Sequence, residues 1–306
     1  MVTPLHADLG AELPSAFIDP KTVRWPEVRR VHQALYQVFH YRYPGPIEAL
    51  RHRLLITPRA EYGGQTLQAF RLSVTPEVEV TCRQDPFGNA VLEAQAGYLP
   101  HELRFESLST LCCNAQLRPV RVTATDAERF LAATPLTTAD AHIKAVALEL
   151  RATYAGALTF AATVNDWVHR HMRYGFGVTD TRTPAAKALA GGVGLCQDYA
   201  HVMIALLRAA KVPARYVSGH LLGEGGSHAW VEVILPDGDG YAAYGFDPTN
   251  RRCPGPDYLT VAVGRDYSDV APTSGTFRAP YGGELSCSKR AGLTAVEYES
   301  GEVLRP

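Results

Sequence analysis

Ser227-His228-Ala229-Trp230-Val231-Glu232-Val233-Ile234 has the alternation of a β-strand, and Pro236-Asp237-Gly238-Asp239-Gly240 follows it as a turn. Residues 241–247 then read as the returning strand, closed by Pro248. This is a β-hairpin, and its register can be worked out on paper. If Asp237-Gly238 is a two-residue loop, His228 falls opposite Asp247. If residues 237–240 form a four-residue loop, His228 lies opposite Thr249 and diagonal to Asp247. Both registers put the imidazole and the carboxylate on one face, with Gly245 leaving room beside them. A three-residue loop or a bulge would separate them.

Upstream, Gly191-Gly192-Val193-Gly194-Leu195 runs into Cys196, and residues 197–210 read as a helix ending before Pro213. Ala200, Met203, Ile204, Leu207 and Ala210 define its apolar side. A cysteine at a helix start is favoured as thiolate, because unpaired backbone N–H groups and the helix dipole stabilise negative charge there. The Cys196 N–H could also donate to the oxygen of a tetrahedral intermediate. The glycines permit tight turns and close approach of a substrate. Asp198 would oppose a thiolate if it pointed at the sulfur, so it is assigned to the helix end or to a basic partner. The chain has six cysteines, and for Cys82, Cys112, Cys113, Cys253 and Cys287 an inert thiol is the ordinary reading.

Further out, residues 139–154 and 158–172 carry helical periodicity, and residues 184–189 read as a short helix opened by proline. Strands are predicted over 214–222, 258–263 and 284–298. Residues 36–122 carry only β signals: 47–57, 65–74, 78–82, 90–94 and 103–112. The expected fold class is α+β: a β-sandwich-like N-terminal domain, then an α+β core with the cysteine-bearing helix packed on an antiparallel sheet. The expected division is an arm over 1–29, a β-rich domain over 30–125 and a catalytic domain over 126–306.

Composition narrows the function. The formal net charge is −1, so no basic field draws the chain to nucleic acid. No apolar run approaches a membrane span, and residues 1–8 lack the pattern of a signal peptide, so a cytoplasmic protein with no membrane partner is expected. No C-x-x-C pair is present, and Asp237-Gly238-Asp239-Gly240 is too short for an EF-hand loop. Neither a metal nor an organic cofactor is expected.

Several stretches in order are similar to the core of the transglutaminase-like superfamily. They are Gly194-Leu195-Cys196-Gln197-Asp198-Tyr199-Ala200-His201, Ala214-Arg215-Tyr216-Val217-Ser218-Gly219-His220, Ser227-His228-Ala229-Trp230-Val231-Glu232-Val233 and Gly245-Phe246-Asp247-Pro248-Thr249-Asn250. Residues 261–270 resemble the segment that follows this core in bacterial members, and residues 36–122 resemble the β-rich domain that accompanies it. The resemblance implies Cys196 as nucleophile, His228 as base and Asp247 as the group that orients the base. It also implies an acyl-enzyme mechanism on a peptide, protein or small amide. Water as acceptor gives hydrolysis; an amine gives transamidation. A non-catalytic binding module is the remaining alternative. The family uses a side-chain oxyanion donor upstream of the cysteine, and Tyr174 is the candidate, with packing as its other reading. His169 and His171 are read as exposed helix residues, His201 as facing away from Cys196 and His220 as structural. Trp230 shares the His228 face, as a cleft wall or as core.

Overall fold

The computed structural model describes residues 16–306 except 117, 154–155 and 224–225; residues 1–15 of the expected arm lie outside the described residues. The first half is built of strands: β1 (Val28–Arg42), β2 (Ile47–Leu54), β3 (Glu61–Tyr62), β4 (Gln65–Thr75), β5 (Glu79–Gln84), β6 (Ala90–Leu99), β7 (Glu102–Asn114) and β8 (Val120–Val122). Helices follow: α1 (Ala124–Arg129), α2 (Ala141–Thr153) and α3 (Ala157–His171). Then come β9 (Arg173–Tyr174), α4 (Ala185–Gly191), β10 (Val193–Gly194) and α5 (Cys196–Ala209). The chain continues through β11 (Ala214–Leu221), β12 (His228–Asp237), β13 (Gly240–Phe246), β14 (Tyr258–Gly264), α6 (Tyr267–Val270), β15 (Thr273–Arg278), β16 (Glu284–Tyr298) and β17 (Val303–Leu304).

A six-stranded sheet in the order β17-β16-β1-β7-β4-β3 and a four-stranded sheet in the order β15-β2-β6-β5 form a β-sandwich. Phe39, Ile47, Leu54, Leu92, Leu103 and Phe105, drawn from both sheets, fill one apolar cluster between them. The core sheet is separate and antiparallel, in the order β14-β11-β12-β13-β8. Helix α5 packs on it, and residues 198–208 are buried around the whole helix circumference. The sequence had marked one apolar side. The remaining sides are covered because α2, α3 and α4 also pack on this helix.

Sheet pairing crosses the expected boundary between residues 125 and 126 in both directions. Val120–Val122 joins the sheet that carries His228, through β13. Conversely, β15 pairs with β2 and β16 pairs with β1 along nearly its full length, so residues 273–304 complete the N-terminal sandwich. Residues 16–29 are also not a free arm: Ile18 is buried and bridges to Leu293, and β1 already begins at Val28.

Side-chain amides weld the sandwich to the core sheet. The edge strand β14 leaves backbone groups facing away from β11, and such groups need partners once buried. Gln65 takes the Thr260 N–H at 2.9 Å and donates to the Thr260 carbonyl at 2.9 Å. Asn89 does the same at Val263, accepting from its N–H at 2.9 Å and donating to its carbonyl at 2.7 Å. Beside them, buried Arg215 donates to Glu232 at 2.7 Å and to the Tyr62 hydroxyl at 2.8 Å. The Tyr62 hydroxyl in turn donates to Glu232, so a residue of the sandwich completes a buried ion pair of the core.

Candidate active site

Cys196 is the first residue of α5 and is partly accessible. Its N–H lies ahead of the first bonds into the helix, which run from Asp198 N and Tyr199 N to Leu195 O at 2.8 and 3.2 Å. The turn into the helix is held by Asp198, whose Oδ2 accepts from Leu195 N at 2.8 Å and from Thr179 Oγ1 at 2.7 Å. Asp198 therefore serves the helix end. Burial raises its pKa, which those hydrogen bonds only partly offset. Gly194 is required here by packing: a Cβ would lie 2.6 Å from Asp198 Oδ2. Gly192 sits at φ +63 as the cap of α4.

The hairpin closes with Asp237 opposite Gly240, and Val231 lies opposite Phe246. Extending that register puts His228 level with Thr249 and diagonal to Asp247. This is the alignment expected for a four-residue loop, although the connection itself tightens to Gly238-Asp239. His228 opens β12, is 6% exposed and pairs with Gly219. A side chain at Gly219 would collide with the Trp230 indole at 2.6 Å and the Leu259 carbonyl at 2.0 Å. Trp230 fills that space, with its ring 6.2 Å from the imidazole.

His228 Nε2 donates to Asp247 Oδ2 at 2.7 Å. That leaves Nδ1 for a second partner, and Cys196 is near enough to favour the charged form of the same imidazole. Burial works against the imidazolium, yet the bonds and charges of Asp247 and Cys196 outweigh it and raise His228 to about 10. Asp247 is fully buried just past the end of β13. Burial would raise its pKa, but the bonds from His228, Tyr258 and Asn250 bring it below the usual carboxylate value. Its Oδ1 accepts from Thr249 N at 2.9 Å and Asn250 N at 3.2 Å; its Oδ2 accepts from Asn250 Nδ2 at 2.9 Å and Tyr258 hydroxyl at 2.6 Å. Arg252 Nε donates to the same Tyr258 oxygen at 2.9 Å.

Sequence reasoning missed Tyr258, Asn250 and the backbone at Thr249. The last two were findable, because an aspartate followed by Pro248-Thr249-Asn250 is a turn in which the carboxylate captures the next N–H groups. Tyr258 arrives from another strand and has no local signal.

The other residues singled out fall as follows. Tyr174 pairs in parallel with Gly194, two residues before Cys196, and is half exposed. His169 is partly buried and donates from Nδ1 to the Thr249 carbonyl at 3.0 Å, bracing the Asp247 turn from α3. His171 is exposed and stacks on Trp167. His201 is buried beside Tyr216 and accepts from Tyr267 N at 3.2 Å; burial lowers it to about 4. His220 is buried, donates to the Gly226 carbonyl at 2.9 Å and is lowered to about 3 by burial. Burial raises the thiols of Cys82, Cys112 and Cys253, and pushes Cys113 up to about 12. Among the described residues, no three or more His, Cys, Asp or Glu side chains are grouped to hold a metal ion. No helix among them is long and apolar enough to cross a membrane.

A thiol at a helix start, near an imidazole that is itself bonded to a buried carboxylate, is the site arrangement of thiol acyl-transfer proteins. Comparison with known families agrees with the fold that holds it. Residues 144–246 match the transglutaminase-like superfamily core, and residues 34–111 match the bacterial transglutaminase-like N-terminal region. The protein thus carries a transglutaminase-like core with its bacterial N-terminal companion. An uncharacterized Mycobacterium leprae protein is 29% identical over 258 residues, covering 78% of this chain and 90% of the relative. An uncharacterized Mycobacterium tuberculosis protein is 36% identical over 120 residues, but only 35% of this chain and 38% of that relative are spanned. A solved Cytophaga hutchinsonii structure, provisionally described as a cysteine protease, has a TM-score of 0.67 at 19% identity. It covers 87% of this chain and 99% of its own, which establishes a shared fold.

Proposed function

We propose that this protein is a cysteine-dependent amide or peptide hydrolase working through an acyl-enzyme on Cys196. A transglutaminase-like core supports the broader class, a cysteine-dependent hydrolase or transferase. The observation that carries the reading is His228, bonded through Nε2 to buried Asp247 and with Cys196 near enough to favour its charged form. In this reading the proton rests on His228 and the sulfur attacks the amide carbonyl as thiolate. A C–S bond forms, and the carbonyl π electrons move to oxygen. The Cys196 N–H, with Tyr174 as the side-chain candidate, receives that charge. Collapse breaks the C–N bond while His228 protonates the departing amine. Neutral His228 then takes a proton from water as its oxygen attacks the thioester; the C–S bond breaks, releasing the acid and restoring the Cys196 thiolate beside protonated His228. Asp247 stays ionised throughout and holds the tautomer that presents Nδ1 to sulfur.

The test is mass spectrometry of products from peptide and amide libraries, with and without an added primary amine. Products gaining water, lost in Cys196→Ala, support hydrolysis. Products gaining only the amine assign the transferase reading. No acyl-enzyme and no turnover of any amide would leave a binding module.

A further inference from the structure

The sandwich and the core sheet do not close completely on each other. A cavity of about 480 Å³ remains where they meet, within the size range of small-molecule sites. Aromatic side chains wall it: Tyr62 from the sandwich, Trp230 from β12, Tyr244 and Phe246 from β13, and Tyr258 from the start of β14. Trp230 and Tyr258 meet edge to face at 5.3 Å. One carboxylate stands among the rings. Glu232 Oε2 accepts both from Arg215 Nε at 2.7 Å and from the Tyr62 hydroxyl at 2.5 Å. Among the described residues Oε1 accepts no hydrogen bond, yet it is not fully buried, and the space it meets is the cavity that Glu232 lines. A carboxylate oxygen without a donor is costly in apolar surroundings, so the position favours a donor. Cys196, His228 and Asp247 do not line the cavity. Two wall residues connect it to them: Tyr258 donates to Asp247 Oδ2 at 2.6 Å, and the Trp230 ring lies 6.2 Å from the His228 imidazole. An occupant therefore sits behind the triad and not on the nucleophile.

We infer that this cavity is a binding site for a small, uncharged aromatic molecule with one N–H or O–H donor, its ring held by Trp230, Phe246 and Tyr258 and its donor given to Glu232 Oε1. The walls select a flat apolar body, because edge-on and offset ring contacts add to the gain from burial. Charge selects against an ion. Arg215 already neutralises Glu232, and Arg118 also lines the cavity, so a cation would meet two guanidiniums. An anion would meet the unpaired carboxylate oxygen. A neutral donor avoids both penalties and completes the hydrogen bonding of the carboxylate. The site is the same whether Cys196 serves hydrolysis or transfer.

The experiment titrates the full chain with indole, 1-methylindole and indole-3-acetate by isothermal calorimetry. In parallel, Cys253, an exposed thiol on the cavity wall, is alkylated with iodoacetamide in the presence and absence of indole. Peptide mapping reads it beside Cys196 and Cys82, the latter an exposed thiol away from the cavity. Indole should bind at a single site and slow the labelling of Cys253, while Cys82 is unaffected and Cys196 stays open to the reagent. 1-Methylindole has nearly the same shape without the N–H, and should bind on the order of tenfold more weakly, as for loss of one hydrogen bond to a charged group. Indole-3-acetate, with its added negative charge, should also bind more weakly than indole. Ala162→Phe, at an exposed position of α3 on the cavity wall, fills the space and should abolish binding. Equal affinities for indole and 1-methylindole overturn recognition by Glu232. Absence of saturable indole binding, protection of Cys196 in place of Cys253, or unchanged binding in a folded Ala162→Phe overturns the site. The ligand comparison uses the unaltered chain, so it decides the matter even where the variant fails to fold.

Discussion

Asp247→Asn tests the central geometry most directly. The carboxylate accepts from five donors, two on Oδ1 and three on Oδ2. An asparagine keeps its oxygen for one set and turns an NH2 group toward the other. With the oxygen left on the Thr249 and Asn250 N–H groups, the new amide faces His228 Nε2–H, the Tyr258 hydroxyl and Asn250 Nδ2. The hydroxyl can rotate to accept, but the imidazole cannot stay protonated on Nε2 without a donor–donor clash. With Asp247 gone, burial becomes the main influence on His228, and it lowers the pKa. Only Cys196 still raises it, so His228 falls from about 10 toward neutrality, and each unit lost is about 1.4 kcal/mol less preference for imidazolium. At pH 7.5 the imidazole then turns neutral with its proton on the wrong nitrogen, and turnover should fall by about 10²–10⁴. The assay is the pH dependence of Cys196 alkylation, read beside an NMR titration of the His228 ring. The native ring should stay protonated through neutrality and the variant ring should not. An unchanged His228 titration in a folded variant would refute the reasoning.

Three further outcomes follow from the same structure. Tyr258→Phe removes one bond to Asp247 and strands Arg252 Nε, so kcat should fall roughly tenfold with little change in KM, as for loss of one charge-assisted hydrogen bond. Buried Arg208 donates to the carbonyls of Phe130, Ala214 and Arg265 and to Thr137; Arg208→Met removes all four bonds, and urea unfolding should show a loss of roughly 3–5 kcal/mol. His52, His201 and His220 are lowered by burial to about 4, 4 and 3, so the unfolded chain binds more protons between pH 6.5 and about 4. Their stability contribution is present above pH 6.5 and lost as pH falls, with a slope approaching about 4 kcal/mol per pH unit near pH 5. His228 has the opposite sign: its contribution is full below pH 6.5 and lost as pH rises toward about 10. Denaturant midpoints should therefore peak near pH 6.5, and a flat profile from pH 4 to 6.5 would contradict the buried neutral histidines.

The candidate site of this protein was legible locally. Side chains in a strand alternate with a strict period of two, so His228 and Asp247 shared a face in either even-loop register, whichever one the turn adopted. Cys196 stood at a helix start because the glycines before it and the apolar run after it left few other places for the helix to begin. Tertiary structure decided the rest. Asp247 lies beyond the last ladder pair, and its carboxylate is aimed by Tyr258, a residue from a different strand. Residues 284–298 read plainly as a strand, but nothing in an alternating pattern names its partner. That strand closes the N-terminal sandwich against β1 because an open edge there needed covering, and closing a longer loop costs little more entropy than a short one. Likewise, an apolar stripe on α5 specified one buried side. Only the assembled layers, with a sheet beneath and three helices around, made the whole helix interior and left its first residue, the thiol, at the surface.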